Sequence, residues 1–189
     1  LGYNMEEIES VASMGLEDWI DQQISLPVSF SLEDKVIEYH QFRKDSLGDP
    51  EAGSSILFWD YAWWQYHMTS DDLLRQRIAF ALSELLVISR FSAFSNEPYA
   101  FSSYYDIFMD HAFGNYRDIL EEVTFHPAMG IYLTYMNNPK SDPIENIYPD
   151  ENYAREVMQL FTIGLDMLNI DGTPITDGSG NVIPTYDND

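Results

Sequence analysis

Glu151, Arg155 and Glu156, with Asn152 beside them, are the side chains whose types and spacing point most directly to chemistry. Two carboxylates around a guanidinium can hold a hard cation or act as acid and base, the arginine charge favouring the ionised carboxylates. They sit in the stretch Pro149 to Gly164, which has two faces at helical spacing. Asn152, Arg155, Glu156 and Gln159 share one face, and Val157, Leu160, Phe161 and Gly164 share another. Asp150 is placed to cap the helix after Pro149, and Glu151 suits the positive end of its dipole. Gly164 is placed to end it in the left-handed conformation. The bland alternative is a buried network in which Arg155 pairs with Glu156 and Asn152 and locks the helix into a core.

Histidine adds little to this group. His40, His67, His111 and His126 are far apart, and no two have the i, i+4 spacing of metal ligands, so no metal site is expected. His126, just before Pro127, is the best single candidate, because a histidine at a helix start can bond backbone and face a cleft. The second candidate surface is aromatic. From Ile56 to Met68 the chain carries Phe58, Trp59, Tyr61, Trp63, Trp64 and Tyr66. Aromatics all round a helix imply burial on several sides, or a face left for a ligand or partner, with Trp59, Trp63 and Trp64 the binding candidates. There is no nucleophile elbow, phosphate-cradling glycine loop or dinucleotide fingerprint, and Gly178-Ser179-Gly180 reads as a turn.

Composition bounds what these groups can serve. The 189 residues are enough for one domain with a real core, and 45% hydrophobic with 15% aromatic residues excludes a disordered chain. Against 32 Asp and Glu there are 9 Lys and Arg, a formal charge of -23. Such a chain repels phosphate backbones, so no nucleic-acid partner is expected. The absence of cysteine removes disulfides, thiolate nucleophiles and thiolate metal sites together. No apolar run approaches the ~20 residues that span a bilayer. The chain begins with Leu1 and ends in the helix-cap composition Tyr186 to Asp189, so both ends are expected to be truncated and no export signal can be read.

The elements that must position these residues are short helices. Asn4 and Glu7 form a capping-box variant for a first helix with Ile8, Val11 and Ala12 inward, stopped at Gly15. A second runs from Leu16 to Ile24, anchored by Trp19 and Ile20. Ser31 caps a third over Leu32 to Lys44, with Leu32, Val36, Tyr39 and Phe42 as its buried stripe. The aromatic helix follows a loop at 48–55. After Ser70, Asp71 and Asp72 comes a helix with Leu74, Ile78, Ala81, Leu82 and Leu85 on one side, expected to be the best-defined core element, with Arg75 and Arg77 as surface charges. After a loop from Arg90 to Pro98, helices are expected at Ala100 to Phe113, from the Asn115 cap to Thr124, and from Ala128 to Met136 with Pro127 at its first position.

After Gly164 the texture changes. Leu168 to Ile175 and Thr176 to Ile183 read as short strands around glycine turns, that is, a small β-hairpin. Asn169, Asp171 and Asp177 match part of a calcium loop, but Pro174 occupies the position that needs glycine, which rejects an EF-hand. No internal repeat is seen.

Three blocks carry a family resemblance: Phe113 to Leu120 with Val123 to Met129, Asp150 to Glu156 with Leu160 to Gly164, and Leu74 to Glu84. Together with Gly15 to Ile20 they resemble, in order and over nearly the whole chain, the bacterial family catalogued as domain of unknown function 1800. The resemblance supplies no established activity. It implies a longer parent protein, frequent export, and a gene commonly encoded beside another uncharacterised family, hence work outside the cytoplasm with a partner. Some branches of that family are rich in histidine where this chain has Ala81, Leu82, Glu84 and Phe161, so a histidine metal centre is not implied here.

The expected fold is mainly α: an irregular orthogonal array of about eight or nine short helices over residues 1–164, with the hairpin appendage at 165–189. The first expected function is a periplasmic or extracellular module binding a protein or a glycan through the aromatic segment. The alternative is a hydrolase using Glu151, Arg155 and Glu156, with or without a divalent cation.

Overall fold

The computed structural model describes residues 5–91 and 96–186 of the chain. Among them are nine α-helices: α1 (Met5–Met14), α2 (Leu16–Ser25), α3 (Leu32–Leu47), α4 (Leu57–Thr69), α5 (Leu73–Leu85), α6 (Pro98–Asp110), α7 (Tyr116–Phe125), α8 (Pro127–Tyr132) and α9 (Asn152–Glu156). A π-helical turn, Val157–Phe161, continues α9. The chain gathers into two compact units, residues 1–132 and 133–189.

In the first unit the central element is α6. Pro98 starts it at a position where a missing N–H costs nothing, two residues before the expected start. Phe101, Ser102, Tyr104, Tyr105, Ile107, Phe108 and Met109 are all buried, and the helix packs on α3, α4, α5, α7 and α8. This corrects the expectation for α5, where Ala81 and Leu85 are exposed and Arg75, Gln76 and Ala79 are buried. The buried face of α5 is partly polar, so the apolar stripe in its sequence misplaces it by a fraction of a turn. The surface role expected of Arg75 is overturned with it.

Local signals placed the helix ends well. Ser31 accepts from the N–H of Asp34, Asn115 accepts from that of Arg117, and Gly15 has φ 93° after α1. The expected Asn4 cap and part of the Arg90 to Pro98 loop lie outside the described residues. Faces were placed less well. No residue of α1 is buried, Ile20 is exposed, and Phe42 on α3 is 70% exposed although its stripe-mates Leu32 and Val36 are buried. In α2 the anchor is Gln23, whose amide donates to the carbonyl of Asp71 and accepts from the N–H of Leu74.

The second unit begins with turns, in which Thr134, Asn137 and Asn146 all have positive φ. Helix α8 ends at Tyr132, short of the expected Met136. The β-hairpin expected after Gly164 is not formed: residues 165–186 hold only isolated antiparallel bridges, Asp166 with Pro184, Leu168 with Pro174 and Thr176 with Val182. Two of these pairs contain proline, which has no N–H to extend a ladder. Instead the N–H of Ile175 donates to Met167, that of Met167 to Ile183, and that of Ile183 to Ile175. Three segments thus close a triangle of single hydrogen bonds where a hairpin would need reciprocal pairs.

Candidate functional site

The segment expected to carry chemistry lies in the second unit and is held by Asp150. One oxygen of its carboxylate accepts from the Asn152 N–H at 2.8 Å and the other from the Thr134 hydroxyl at 2.6 Å. Its backbone exchanges two bonds with the Asn138 side chain, at 3.0 and 2.8 Å. The Thr134 bond, then the Asn152 bond, hold the Asp150 carboxyl below its usual value. The N-cap of α9 is Glu151, not Asp150 as expected; Asp150, one residue earlier, instead ties the first N–H of the helix to the preceding turns. Behind this anchor the Tyr153 ring lies tilted at 4.3 Å from Tyr135 and at 6.5 Å from Phe161, both Tyr153 and Phe161 being buried. Burial pushes the Tyr135 hydroxyl up.

Arg155 reaches back one turn to Glu151, Nη2 to Oε1 at 2.6 Å, with the Glu151 side chain 80% exposed. The buried Arg155–Glu156 pairing considered from the sequence is thereby corrected: the i, i+4 geometry of one helical turn brings Arg155 to Glu151 on the surface. Such a pair contributes little to stability. Glu156 is half-buried, and its Oε2 is buried with no hydrogen-bond partner. Asn152 is half-buried beside it. The chain then widens into the π-turn and stops at Gly164, φ 74°, whose N–H donates to the Met158 carbonyl at 2.9 Å. π-turns often mark positions where a helix is adjusted for function.

The other candidates lie in the first unit. His126 caps α8: its Nδ1 accepts from the Ala128 N–H at 3.2 Å. Its Nε2–H therefore faces the Ser103 hydroxyl at 3.2 Å, and that hydroxyl donates to the Tyr99 carbonyl. Burial lowers the pKa of the ring, and both of its nitrogens are engaged. Trp59 packs against Phe101 and Tyr105 at 6.0 and 5.5 Å. With Trp63 it lines a small cleft of about 250 Å³ that also holds Glu84 and Arg90. Arg90 is itself paired in fork geometry with Asp60, at 2.7 and 3.1 Å. Trp64 points to solvent, with Trp63 edge-on to it at 5.0 Å.

Two features escaped the sequence reading. The first is a groove of about 800 Å³ between α3 and α4, lined by Tyr39, Phe42, Leu47, Phe58 and Tyr61 with Glu38 and Arg43. Its signal is present in Tyr39 and Phe42 on α3, which the sequence places in the buried stripe with Leu32 and Val36. The second is a buried polar hub at the α4–α5 corner. There the carboxylate of Asp72 accepts from the Tyr66 hydroxyl, the Ser29 N–H and the Gln76 amide. Burial and this bond push the Tyr66 hydroxyl up. Nothing in the pattern of α5 distinguishes Asp72 from an ordinary solvent-facing cap.

Among the described residues no group of three or more His, Asp or Glu side chains is placed to hold a metal ion, and no helix is long and apolar enough to cross a membrane. The carboxylates of the segment that partly matches a calcium loop serve their own turns. Asp171 accepts from the N–H and hydroxyl of Thr173, and Asp177 accepts from the N–H groups of Ser179 and Asn181. No curated protein and no solved structure matches the chain. A family model does match, over nearly the whole chain. It matches residues 1–188, and the chain belongs to the family described as "Protein of unknown function (DUF1800)".

Proposed function

We propose that the chain is an extracytoplasmic module that binds a protein partner in the groove between α3 and α4. The observation that carries this reading is the exposure of large apolar side chains along that groove, with Phe42 at 70% and Tyr61 at 54%. Leu47, Leu57, Trp64 and Met68 are exposed on the same two helices. Apolar surface of this extent in a chain of charge -23 suits a partner that supplies an apolar ridge with basic residues on its rim. A glycan needs more hydrogen-bonding groups than Glu38 and Arg43 provide beside those rings. Trp59 and Trp63 line the separate cleft toward α6, and Trp64 is exposed on α4 outside the groove lining.

Titration with the purified product of the gene encoded beside this one tests the proposal. Phe42→Asp and Tyr61→Asp should each weaken binding at least about 30-fold, as expected for central anchors, with unchanged circular dichroism. Equal binding by both variants, or binding of a glycan array that depends on Trp63 and not on Phe42, overturns it.

A hydrolase built on Glu151, Arg155 and Glu156 is the second reading, favoured by the unpartnered, buried Oε2 of Glu156. Under that reading Glu156→Gln abolishes turnover of chromogenic ester and glycoside substrates, with or without added Mg²⁺, and leaves the fold intact. Loss of the fold instead makes Glu156 structural.

A further inference from the structure

His67 is an acceptor without a donor. Its Nδ1–H donates to the Trp63 carbonyl at 2.9 Å, which leaves the lone pair on Nε2. The ring is stacked on Trp63 at 3.9 Å and is 6% exposed, and Nε2 is buried with no hydrogen-bond partner. Three residues on, the Ser70 hydroxyl is also buried and unpartnered. Buried polar atoms are ordinarily satisfied, so two orphans close together in the chain call for an explanation. Both line one cavity of about 750 Å³ walled by α1, α2 and the α4–α5 turn.

The lining says what would satisfy them. It carries the carboxylates of Glu7 and Asp71 and, among the described residues, no lysine or arginine; the positive charges that act on His67 are those of Arg77, outside the lining, and of the amino terminus. Ile8, Val11, Ala12 and the Trp19 ring supply an apolar wall. The site therefore offers acceptors, negative charge and a greasy side. An anion would meet two carboxylates and the lone pair of an imidazole, which burial keeps neutral. An ammonium group has three donors and no acceptor, and an alkyl stem covers apolar surface behind it.

We propose that this cavity binds an alkylammonium group, its N–H donors directed at His67 Nε2 and Ser70 Oγ, its charge met by Asp71, and its stem lying along Val11 and Trp19. The group can belong to a free amine or to a lysine side chain of a peptide, and this site is separate from the α3–α4 groove.

The test is titration of the full chain with pentylamine, pentanol and pentanoate, read by calorimetry and by chemical shifts of the His67 and Trp19 rings. A second arm compares pentylamine with a blocked lysine peptide, which separates the two sources. The expected result is that pentylamine or the lysine peptide binds and shifts both rings, whereas pentanol and pentanoate bind at least about tenfold more weakly. His67→Phe keeps the stacked ring and removes the acceptor, and should weaken amine binding about tenfold, as for a hydrogen bond to a charged group. Asp71→Asn changes an exposed carboxylate outside the core, and should weaken it about threefold with a reduced salt dependence. Absence of any ring shift with either amine at tens of millimolar overturns the proposal. So does equal binding of pentanol or pentanoate, or affinity unchanged in Asp71→Asn.

Discussion

Arg75 is a buried cation in a chain short of cations, 7% exposed on α5. Its Nη1 and Nη2 donate at 2.8 Å to the carbonyls of Met109 and Leu26, and its guanidinium lies 4.9 Å from the Phe113 ring centroid. Asp72 is 4.0 Å away. One side chain thus joins the end of α2, the start of α5 and the end of α6. Replacing it with methionine keeps most of the volume but leaves two carbonyls and the Asp72 carboxylate without their donor or counter-charge. Arg75→Met should destabilise the chain by about 3 kcal/mol in urea titration. A loss below about 1 kcal/mol would show that water replaces the guanidinium. From the sequence Arg75 and Arg77 are indistinguishable, since both are arginines on a helix rich in apolar residues; only the burial of one of them separates them. The same holds for His67 and His126. Both rings are largely buried, but one has both nitrogens engaged and the other does not.

At the scale of elements, caps were legible and faces were not. A side-chain N-cap is a local hydrogen bond between residues two or three apart, so Ser31 and Asn115 announced themselves, and Gly164 did so as the residue that tolerates a positive φ at a helix end. Helix α3 shows the limit of local reading, because its start is capped twice. Beside Ser31, Asp106 of α6 accepts from the Ser31 hydroxyl at 2.7 Å and from the N–H groups of Leu32 and Glu33 at 2.8 and 3.0 Å. Burial, partly offset by these donors, leaves the Asp106 carboxyl above its ordinary value. Removing it should uncap α3 and loosen its seat on α6. Asp106→Ala should cost about 2 kcal/mol and Asp106→Asn less, because the amide oxygen still accepts. Thermal unfolding of the two variants checks the order, and equal midpoints would mean that Ser31 alone suffices. The β-hairpin failed for a comparable reason: its turns were read correctly, but the partner of each segment is chosen by the other two.

For the whole molecule, acid separates the two units. Asp150, Asp171 and Asp177 all lie in residues 133–189, and hydrogen bonds from Thr134, Thr173 and Asn181 respectively hold them below 3.8. Carboxyls depressed by folding stabilise above their unfolded value, and that contribution is lost as pH falls below 3.8 through the folded values. Glu33, Asp106 and Asp110 lie in residues 1–132 and are raised, chiefly by burial. For these the folded state holds the proton more tightly, so their effect on stability becomes less unfavourable as pH falls through the raised values. Hydrogen exchange compared at pH 6 and pH 3, corrected for intrinsic rates, should show protection lost first in 133–186. Simultaneous loss in both units would refute the division. The sequence by itself determined the helical class, most helix ends, the glycine turns after Gly164 and the family, because each rests on residues near one another in the chain or on an ordered series of motifs. The side of each helix that is buried was decided only by the tertiary structure. So were the buried Arg75 and Asp72, the groove beside Phe42 and the unpartnered nitrogen of His67. Burial and hydrogen-bond satisfaction depend on neighbours tens of residues away, which no local spacing records.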